Sequence, residues 1–431
     1  MSGDINYLMY LIKKAADSNE KINFNYEKIK AALTEILSYI DIYRTYFTVP
    51  AQQIPSRIYL EKAFHKATEK NQKHKNEIQI LSDFFFDPEL SNNEETRKAV
   101  TSFIMNFQQV SSPLMAKGFE DTFLYNYNRF VSLNEVGGDP TRFAISTNDF
   151  HSFNKQRCEN IPNTLNATST HDNKRAEDVR ARLNVLTEIP EEWTGKITKW
   201  QKLNRNHKTE VESSAAPDPN DEYLIYQNLL GAFYFEDDNI NELNKRMKNY
   251  IIKAVREAKR HSTWIEPNEA YERACTKFLN KILSPNSSDF LEDCLEFKNK
   301  IAEYGIYNSL SQLLVKITSP GIPDFYQGSE LWDLNLVDPD NRRPVDYDNR
   351  RNMLFEIKKS FNENNLDFFT NLLSNKSSGK IKMFLAWKAL NTRNNFSEVF
   401  QNGNYVPLKV EGQFKGNIIA FARIYQEKCL I

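Results

Sequence analysis

Residues 319–347 read SPGIPDFYQGSELWDLNLVDPDNRRPVDY and follow an amphipathic helical stretch that ends near Ile317. A helix, a proline–glycine break, a short apolar strand and a polar loop succeed one another here, which is the order of elements in an α/β unit. A second short apolar run leads into residues 167–175, which read ATSTHDNKR. In a barrel, such a charged segment would lie at the carboxyl end of a strand, where catalytic residues are found.

Helical periodicity dominates the sequence around these two segments. Apolar residues recur at i, i+3, i+4 and i+7 from Ile29 to Ile40, from Leu243 to Ala258 and over 310–317, which predicts amphipathic helices. A further helix is predicted from Lys174 to Ile189, and Pro190 is expected to end it.

Other stretches predict strands or loops. The runs VSSPLM, RFVSL and TLNAT between residues 110 and 168 favour strands, as do IKMFLAW, YVPLKV and NIIAFARIY from Ile381 onward. The polar stretch at 207–222, HKTEVESSAAPDPNDE, is typical of a surface loop.

The composition limits the classes to which the protein can belong. Its 431 residues include 56 Lys and Arg against 57 Asp and Glu, so the net charge of −1 provides no positive field for a nucleic acid or an anionic membrane. Hydrophobic residues make up 40%, which predicts a globular chain. The sequence has no apolar run of membrane-spanning length and no recognisable signal peptide, so a cytoplasmic protein is expected. The four cysteines show no CxxC spacing, and neither a metal nor a cofactor is expected.

The first group of candidate functional residues is His171, Asp172, Lys174 and Arg175. A carboxylate beside a histidine and two cations can bind sugar hydroxyls and stabilise a developing positive charge. Asp172 could instead cap the following helix, because aspartate is favoured at that position. Spacing alone does not separate the two interpretations.

The second group lies within residues 319–347 and combines carboxylates, an amide and aromatic rings, which together suit a carbohydrate. Polar side chains can bond the hydroxyl groups, and aromatic rings can pack on a sugar face. The alternative is a proline-rich turn with buried aromatic side chains, followed by a charged surface loop. The candidates are Asp324, Tyr326, Gln327, Glu330, Trp332, Asp340, Arg342 and Arg343.

A third group consists of Lys117, Glu120 and Asp121, and Glu135 with a Gly–Gly pair follows it. Paired carboxylates can act as general acid and base. Such pairs are frequent by chance, so their spacing alone is a weak signal.

Five long segments together resemble the maltooligosyltrehalose synthase family of the α-amylase superfamily, and the resemblance covers nearly the whole chain. Long idiosyncratic runs carry it rather than one short motif. They are FQQVSSPLMAKGFEDTFLYNYNRFVSLNEVGGDP, ATSTHDNKRAEDVRARLNVLTEIPEEW, PDPNDEYLIYQNLLGAF, TWIEPNEAYE and the stretch at 319–347 quoted above.

The resemblance implies an α/β fold, namely the C-terminal part of a (β/α)8 TIM barrel with large helical insertions and a partial C-terminal β domain. The domains it implies are a helical insertion at 1–109, a barrel segment with the seventh strand at 110–189, a second helical insertion at 190–300, a barrel helix with the eighth strand and a substrate loop at 301–350, and a linker helix with the partial β domain at 351–431.

The resemblance also implies a reaction, in which the reducing-end α-1,4 bond of a maltooligosaccharide becomes the α,α-1,1 bond of trehalose with retention. A nucleophilic carboxylate and an acid/base carboxylate about 5 to 5.5 Å apart perform such chemistry, and a third carboxylate holds the sugar hydroxyls. Asp172 matches the third carboxylate and His171 matches the sugar-binding histidine beside it. Lys174 and Arg175 complete that motif, and residues 324–330 match the eighth strand and its loop. The third group matches a segment expected near the cleft.

One large departure from the family pattern is visible. The nucleophile is expected on a fourth strand in an Arg-x-Asp setting and the acid/base glutamate on a fifth strand, and neither motif can be found in the sequence. We therefore expect that the isolated chain does not isomerise maltooligosaccharides. Two alternatives stay open, namely a non-catalytic glucan-binding half that complements a separately encoded N-terminal half, and another α-amylase-type glucanotransferase. The family further implies maltooligosyltrehalose trehalohydrolase as the partner in the pathway.

Overall fold

Most of the protein is helical in the computed structural model. The structure describes residues 2–20, 22–235, 239–284, 288–361 and 366–431. The chain forms two compact units that meet in sequence after Phe123, and each unit has its own hydrophobic core.

The first unit, residues 1–123, is built from helices whose apolar stripes face a shared core. The helix predicted from Ile29 onward is confirmed, and Asn25 caps it by accepting a hydrogen bond from the backbone of Lys28. The helices are α1 (Ser2–Asp17), α2 (Tyr26–Ser38), α3 (Arg57–Lys70), α4 (Lys75–Phe86) and α5 (Glu94–Met115), and a π-helix at Ala116–Phe123 follows them.

The second unit, residues 124–431, combines many helices with short strands. Its helices are α6 (Leu124–Asn126), α7 (Thr147–Asn160), α8 (Glu177–Asn184), α9 (Pro190–Asn204), α10 (Pro219–Ala232), α11 (Ile240–Ala258), α12 (Glu269–Ile282), α13 (Ser288–Thr318), α14 (Tyr347–Ser360), α15 (Leu366–Ser374), α16 (Lys380–Asn395) and α17 (Ser397–Asn402). Its strands are β1 (Leu165–Ala167), β2 (Thr209–Val211), β3 (Ser214–Ala216), β4 (Ile322–Asp324), β5 (Asn404–Pro407), β6 (Phe421–Tyr425) and β7 (Lys428–Leu430).

Within the described ranges the strands form three small sheets. β1 and β4 pair in parallel, with Leu165 opposite Ile322 and Ala167 opposite Asp324. β2 and β3 form an antiparallel hairpin, and β5, β6 and β7 form an antiparallel sheet. The two strands expected from the α/β pattern are therefore present and adjacent, and no third strand joins them in the described part of the chain.

The start of β4 requires a glycine. Gly321 has a φ of +113°, and a Cβ on it would lie 2.6 Å from the carbonyl oxygen of Thr164. The side chain of Asn166 in β1 also binds the segment before β4, because its Nδ2 donates to the carbonyl of Pro320 at 2.9 Å. Gly321 thus allows the close approach of β1 and β4.

Helix α8 is packed tightly between α10 and α13. A Cβ on Gly305 of α13 would lie 2.7 Å from the Cα of Arg182. A Cβ on Gly231 of α10 would lie 2.6 Å from the Cγ1 of Val179. Two glycines therefore set the distance between these helices, and α8 begins directly after the loop that follows β1.

Several element predictions were wrong. IKMFLAW belongs to α16 rather than to a strand, VSSPLM belongs to α5, and RFVSL contains a turn of 3-10 helix at Val131–Leu133. The polar stretch at 207–222 forms the β2–β3 hairpin and the start of α10 instead of a plain loop. Pro190 does not merely end a helix, because it is the first residue of α9.

Candidate functional site

The carboxyl ends of β1 and β4 define the candidate site. Because the two strands are parallel, the loops that follow them leave from the same edge of the sheet. We call residues 168–176 the β1 loop and residues 325–346 the β4 loop. The two loops together carry most of the candidate residues of the second unit, and Asp324 ends β4 immediately before its loop.

The β1 loop presents two candidate side chains to solvent. His171 and Asp172 are both exposed, whereas the neighbouring Asn173 is buried and accepts a hydrogen bond from the backbone of Thr170. The backbone N–H of Asp172 donates to the hydroxyl of Thr170 at 3.3 Å. The interpretation of Asp172 as a helix cap is wrong, because α8 begins at Glu177 and has no side-chain cap.

Asn341 joins the two loops, although the sequence analysis did not single it out. Its Nδ2 donates to the backbone carbonyl of His171 at 3.0 Å. Its own backbone carbonyl accepts a hydrogen bond from the hydroxyl of Tyr326 at 3.2 Å. The backbone beneath the exposed His171 is thereby fixed to the β4 loop.

Glu135 supports the second half of the β1 loop. Its carboxylate accepts hydrogen bonds from the backbone N–H groups of Lys174 at 2.8 Å and Arg175 at 3.2 Å. The motif that contains Glu135 was visible in the sequence, but its contact with the β1 loop was not. Lys174 is 3% exposed, and its Nζ lies 5.6 Å from the ring centre of Tyr125.

The guanidinium of Arg175 is buried, and each of its three nitrogens donates a hydrogen bond to another protein group. Its Nε donates to Asn228 at 2.8 Å, and its terminal nitrogens donate to the carbonyl of Val131 at 3.2 Å and to the hydroxyl of Tyr250 at 2.9 Å. Only 2% of Arg175 is exposed. Arg175 and Lys174 are therefore buried, whereas His171 and Asp172 in the same loop are exposed.

The first half of the β4 loop mixes accessible and anchored side chains. Gln327 is exposed and Asp324 is half-buried. Glu330 is paired with Arg350, whose Nε lies 3.1 Å from the carboxylate. The Nε1 of Trp332 donates to the backbone carbonyl of Lys376 at 3.0 Å, which fixes the indole at the base of the loop.

The second half of the β4 loop is closed by a buried ion pair. Arg246 of α11 contacts both carboxylate oxygens of Asp340 at 2.9 Å, and Asp340 also accepts the backbone N–H of Leu336 at 2.8 Å. Arg343 donates to Asn335 at 2.5 Å, and Arg342 is exposed. In this loop Asp340 holds the fold, while Arg342 faces solvent.

The third candidate group belongs to the first unit. Lys117 and Asp121 form an ion pair at 2.5 Å along the π-helix. Glu120 is 4% exposed and accepts a hydrogen bond from the hydroxyl of Tyr43. The remaining candidates all belong to the second unit.

Asp218, Asp221 and His261 offer ligand atoms within 4.8 Å of one another, away from both loops in sequence. Asp218 already caps α10 through the backbone of Asp221 at 2.8 Å and accepts from His261 at 2.9 Å. Tyr271 donates to Asp221 at 2.5 Å. Burial raises the pKa of Asp221 to about 6, and the charge of Asp218 adds to that shift. These groups form an internal hydrogen-bonded contact between α10 and α12.

The sequence matches no protein-family model. Two proteins of Mycobacterium tuberculosis, from strains CDC 1551 / Oshkosh and ATCC 25618 / H37Rv, are each 35% identical to the chain over 319 residues. Both are provisionally named maltooligosyl trehalose synthase. The match covers 74% of this chain and 37% of each relative.

Within the described ranges, no helix is both long and apolar enough to cross a membrane.

Solved structures extend the similarity to nearly the whole chain. Maltooligosyltrehalose synthase from Arthrobacter ramosus is 30% identical, with a TM-score of 0.77, over 96% of this chain and 48% of that enzyme. A hypothetical maltooligosyl trehalose synthase from Sulfolobus tokodaii is 34% identical, with a TM-score of 0.69, over 94% of this chain and 50% of that protein. The chain thus spans about half the length of the solved relatives. By sequence and by fold, it belongs to the maltooligosyltrehalose synthase family.

Proposed function

We propose that the second unit forms the sugar-holding side of an active site that converts the reducing-end α-1,4 bond of a maltooligosaccharide into an α,α-1,1 bond. The activity is that of a (1→4)-α-D-glucan 1-α-D-glucosylmutase, an isomerase of trehalose biosynthesis. One observation carries the proposal. His171 and Asp172 are exposed at the carboxyl end of a parallel strand, and Asn341 fixes their backbone to the loop of the neighbouring strand.

In this proposal each accessible group has a defined task. The carboxylate of Asp172 accepts hydrogen bonds from sugar hydroxyls and stabilises the positive charge that develops on the cleaved sugar. His171 bonds a neighbouring hydroxyl, and Gln327 and Arg342 offer further polar contacts along the β4 loop. The buried guanidinium of Arg175 holds the second half of the β1 loop in place.

We also propose that β1 and β4 are the seventh and eighth strands of a (β/α)8 barrel whose other strands belong to a complementary half. In the described part of the chain no third strand pairs with β1 or β4. Leu165 is 62% exposed and Ile322 is 46% exposed, whereas strands of parallel sheets are normally covered on both faces, and this exposure supports the proposal. The nucleophilic and acid/base carboxylates would come from that half.

The direct test is to incubate the purified chain with maltopentaose and to follow the loss of reducing ends together with the appearance of trehalose-ended product. We expect no product from the chain alone and measurable binding of maltopentaose by calorimetry. Addition of the N-terminal half of a homologous enzyme should restore isomerisation. Product formed by the isolated chain would refute the need for a second half, and absence of binding would refute the sugar-holding role.

A second candidate function is a glucan-binding half without a catalytic partner. The observation in its favour is that the hydrogen bonds described for both strand-end loops come from residues of the second unit, such as Arg246 and Asn341. Binding of maltopentaose without recovery of activity in the mixture would favour this function. Recovered activity with products other than trehalose-ended sugars would instead indicate another α-amylase-type glucanotransferase.

We place the reaction in the cytoplasm, where maltooligosyltrehalose trehalohydrolase would consume its product. All four cysteines are free in the structure, and two of them, Cys275 and Cys294, are buried. Free thiols are typical of a reducing compartment. Detection of the native protein in the cytosolic fraction of its source cells would test this placement.

A further inference from the structure

Five ionisable side chains are buried beneath the β1 and β4 loops, and none of them was a candidate from the sequence. They come from the start of α8, the end of α13, the β4 loop and α16, and none is more than 5% exposed. We call them the buried charge cluster, and they are Glu177, Asp178, Lys316, Asp333 and Lys382. Because of this burial, no member can touch a bound glucan.

Lys382 ties the β4 loop to the residues that follow the β1 loop. Its Nζ donates to Glu177 at 2.8 Å, to Asp178 at 2.7 Å and to the backbone carbonyl of Leu331 at 3.1 Å. The same Nζ lies 5.7 Å from the ring centre of Trp332. One ammonium group on α16 thus holds the start of α8 and the base of the β4 loop together.

Lys316 holds the first residues of both loops. Its Nζ donates to the hydroxyl of Thr168 at 2.8 Å and to Glu177 at 3.2 Å, and it lies 4.0 Å from the ring centre of Phe325. Thr168 in turn donates its hydroxyl to Glu177. Thr168 and Phe325 are the residues with which the two loops leave their strands.

Asp333 completes the cluster from the β4 loop. Its backbone N–H donates to Asp178 at 2.6 Å, and its Oδ1 accepts from the side chain of Asn335 at 2.7 Å. The cluster therefore contacts the β1 loop at its first residue and directly beyond its last, and the β4 loop at Phe325 and again at residues 331–333.

We propose that Lys316 and Lys382 are positioning residues that hold the β1 and β4 loops in one fixed relation, so that His171 and Asp172 face the sugar in a single geometry. The consequence for glucan rests on the proposed function, whereas the coupling of the loops does not. Removal of the Lys382 ammonium leaves the buried carboxylate of Asp178 without its counter-charge, which is strongly unfavourable. Burial would lower the pKa of Lys382, but the charges of Asp178 and Glu177 raise it above its usual range.

Hydrogen–deuterium exchange on the full chain tests the coupling without any glucan. In Lys382→Met, we expect amides of residues 169–174 and 326–336 to exchange at least about fivefold faster together, while the first unit keeps its natural rates. The control is Lys380→Met, which removes a charge from the same helix but only a surface ion pair with Glu356. Faster exchange confined to α16, or a uniform increase over the whole second unit, would overturn the proposal.

A milder variant keeps the test decisive if Lys382→Met does not fold. Thr168→Val removes one hydroxyl from the cluster and should raise exchange in both loops about twofold or more. Unchanged exchange in Thr168→Val and in any folded Lys382 variant contradicts the proposal.

Calorimetry with maltopentaose adds a separate measurement. We expect a Kd about tenfold weaker in Lys382→Met than in Lys380→Met. Natural protein that fails to bind maltopentaose would refute the proposed function, and the exchange data would still decide the coupling. Natural protein that binds, with the same Kd in Lys382→Met, would refute the positioning role.

Discussion

At the scale of single residues, the β1 loop separates side chains that meet solvent from side chains that hold the loop. Asp172 is exposed, while Arg175, three residues later, is 2% exposed and bonded to three protein groups. Substitutions at the two positions should therefore affect different properties of the protein.

Asp172→Ala should weaken the binding of maltopentaose about tenfold, because the sugar loses a charged acceptor of its hydroxyl hydrogen bonds. The free energy of unfolding should change by less than about 0.5 kcal/mol, since the side chain is exposed. Calorimetry and urea unfolding measure the two quantities. The matched control is Asp348→Ala, an exposed carboxylate on α14, and equal loss of binding in both variants would argue against a sugar contact at Asp172.

Arg175→Met should lower the free energy of unfolding by about 3 kcal/mol, because it leaves the acceptor atoms of Asn228 and Val131 buried without their donor. Urea unfolding of the variant measures the loss. Arg351→Met on exposed α14 is the control and should change stability by less than about 0.5 kcal/mol. A loss below about 1 kcal/mol in Arg175→Met would contradict the structural role.

The sequence grouped Lys174 and Arg175 with Asp172 as sugar-binding residues, and their contact with sugar stays a prediction. Their burial could not be read from the local pattern, because the groups that surround Arg175 come from Glu135, Asn228 and Tyr250, 40 to 75 positions away. The candidate residues were visible locally, but which of them reach solvent depends on distant partners.

At the scale of elements, two helical glycines offer a matched comparison. Gly195 of α9 has open space around the position of a Cβ, whereas a Cβ on Gly305 of α13 would meet the backbone of α8 at 2.7 Å. Gly195→Ala should stabilise the protein by about 0.5–1 kcal/mol, and Gly305→Ala should destabilise it by about 1–3 kcal/mol. Thermal or urea unfolding of both variants measures the two changes in stability. Changes of the same sign in both variants would contradict the packing of α8 on α13.

The buried charge cluster gives the second unit a defined pH dependence. Burial, with the charge of Asp178 added, raises the pKa of Asp333 to about 7, from about 3.9 in an unfolded chain. Between these values the folded state holds a proton that the unfolded state has lost, so the contribution of Asp333 to stability falls as the pH rises from about 4 to 7.

Asp333→Asn cannot lose that proton and should gain stability relative to the natural protein over the same window, by about 4 kcal/mol in total if the whole shift is realised. Urea unfolding at several pH values measures the difference. Asp348→Asn, at an exposed position, should show no such trend. If the free energies of unfolding of Asp333→Asn and of the natural protein differ by the same amount from pH 4 to 8, Asp333 does not take up the proton on folding.

Periodicity predicted the long elements well, whereas only half of the short apolar runs form strands, namely TLNAT in β1, YVPLKV in β5 and NIIAFARIY in β6. The stripe from Leu243 to Ala258 became α11, and the pattern at 310–317 became the end of α13. IKMFLAW was predicted as a strand because a short apolar run has no period that separates a strand from a buried helix. In the structure it forms the part of α16 that carries Lys382 into the interior.

At the scale of the whole molecule, the two units have separate cores, and no residue that the structure describes belongs to both. The predicted domain boundaries, such as the one at residue 109, stay predictions, while the compact units meet in sequence after Phe123. The two strands β1 and β4 were predicted from an α/β pattern in the sequence. The number of strands in their sheet could not be predicted from that pattern.

A fragment of residues 124–431 should fold on its own and bind maltopentaose as tightly as the full chain, because every hydrogen bond described for the two loops lies within it. Calorimetric unfolding of the full chain should show two transitions, one of which the fragment retains. A fragment that is unfolded, or one that is folded but does not bind while the full chain does, would contradict the independence of the second unit.

The position of Lys382 in the chain has a consequence for synthesis on the ribosome. Asp178 leaves the ribosome about 200 residues before the ammonium group with which it pairs, since Lys382 follows it by 204 positions. Domains fold as they emerge, at about 5–20 residues per second, so this carboxylate is made on the order of 10 to 40 seconds before its partner. The nascent chain can form its helices in that interval, but the two loops reach their final arrangement only when α16 has been made.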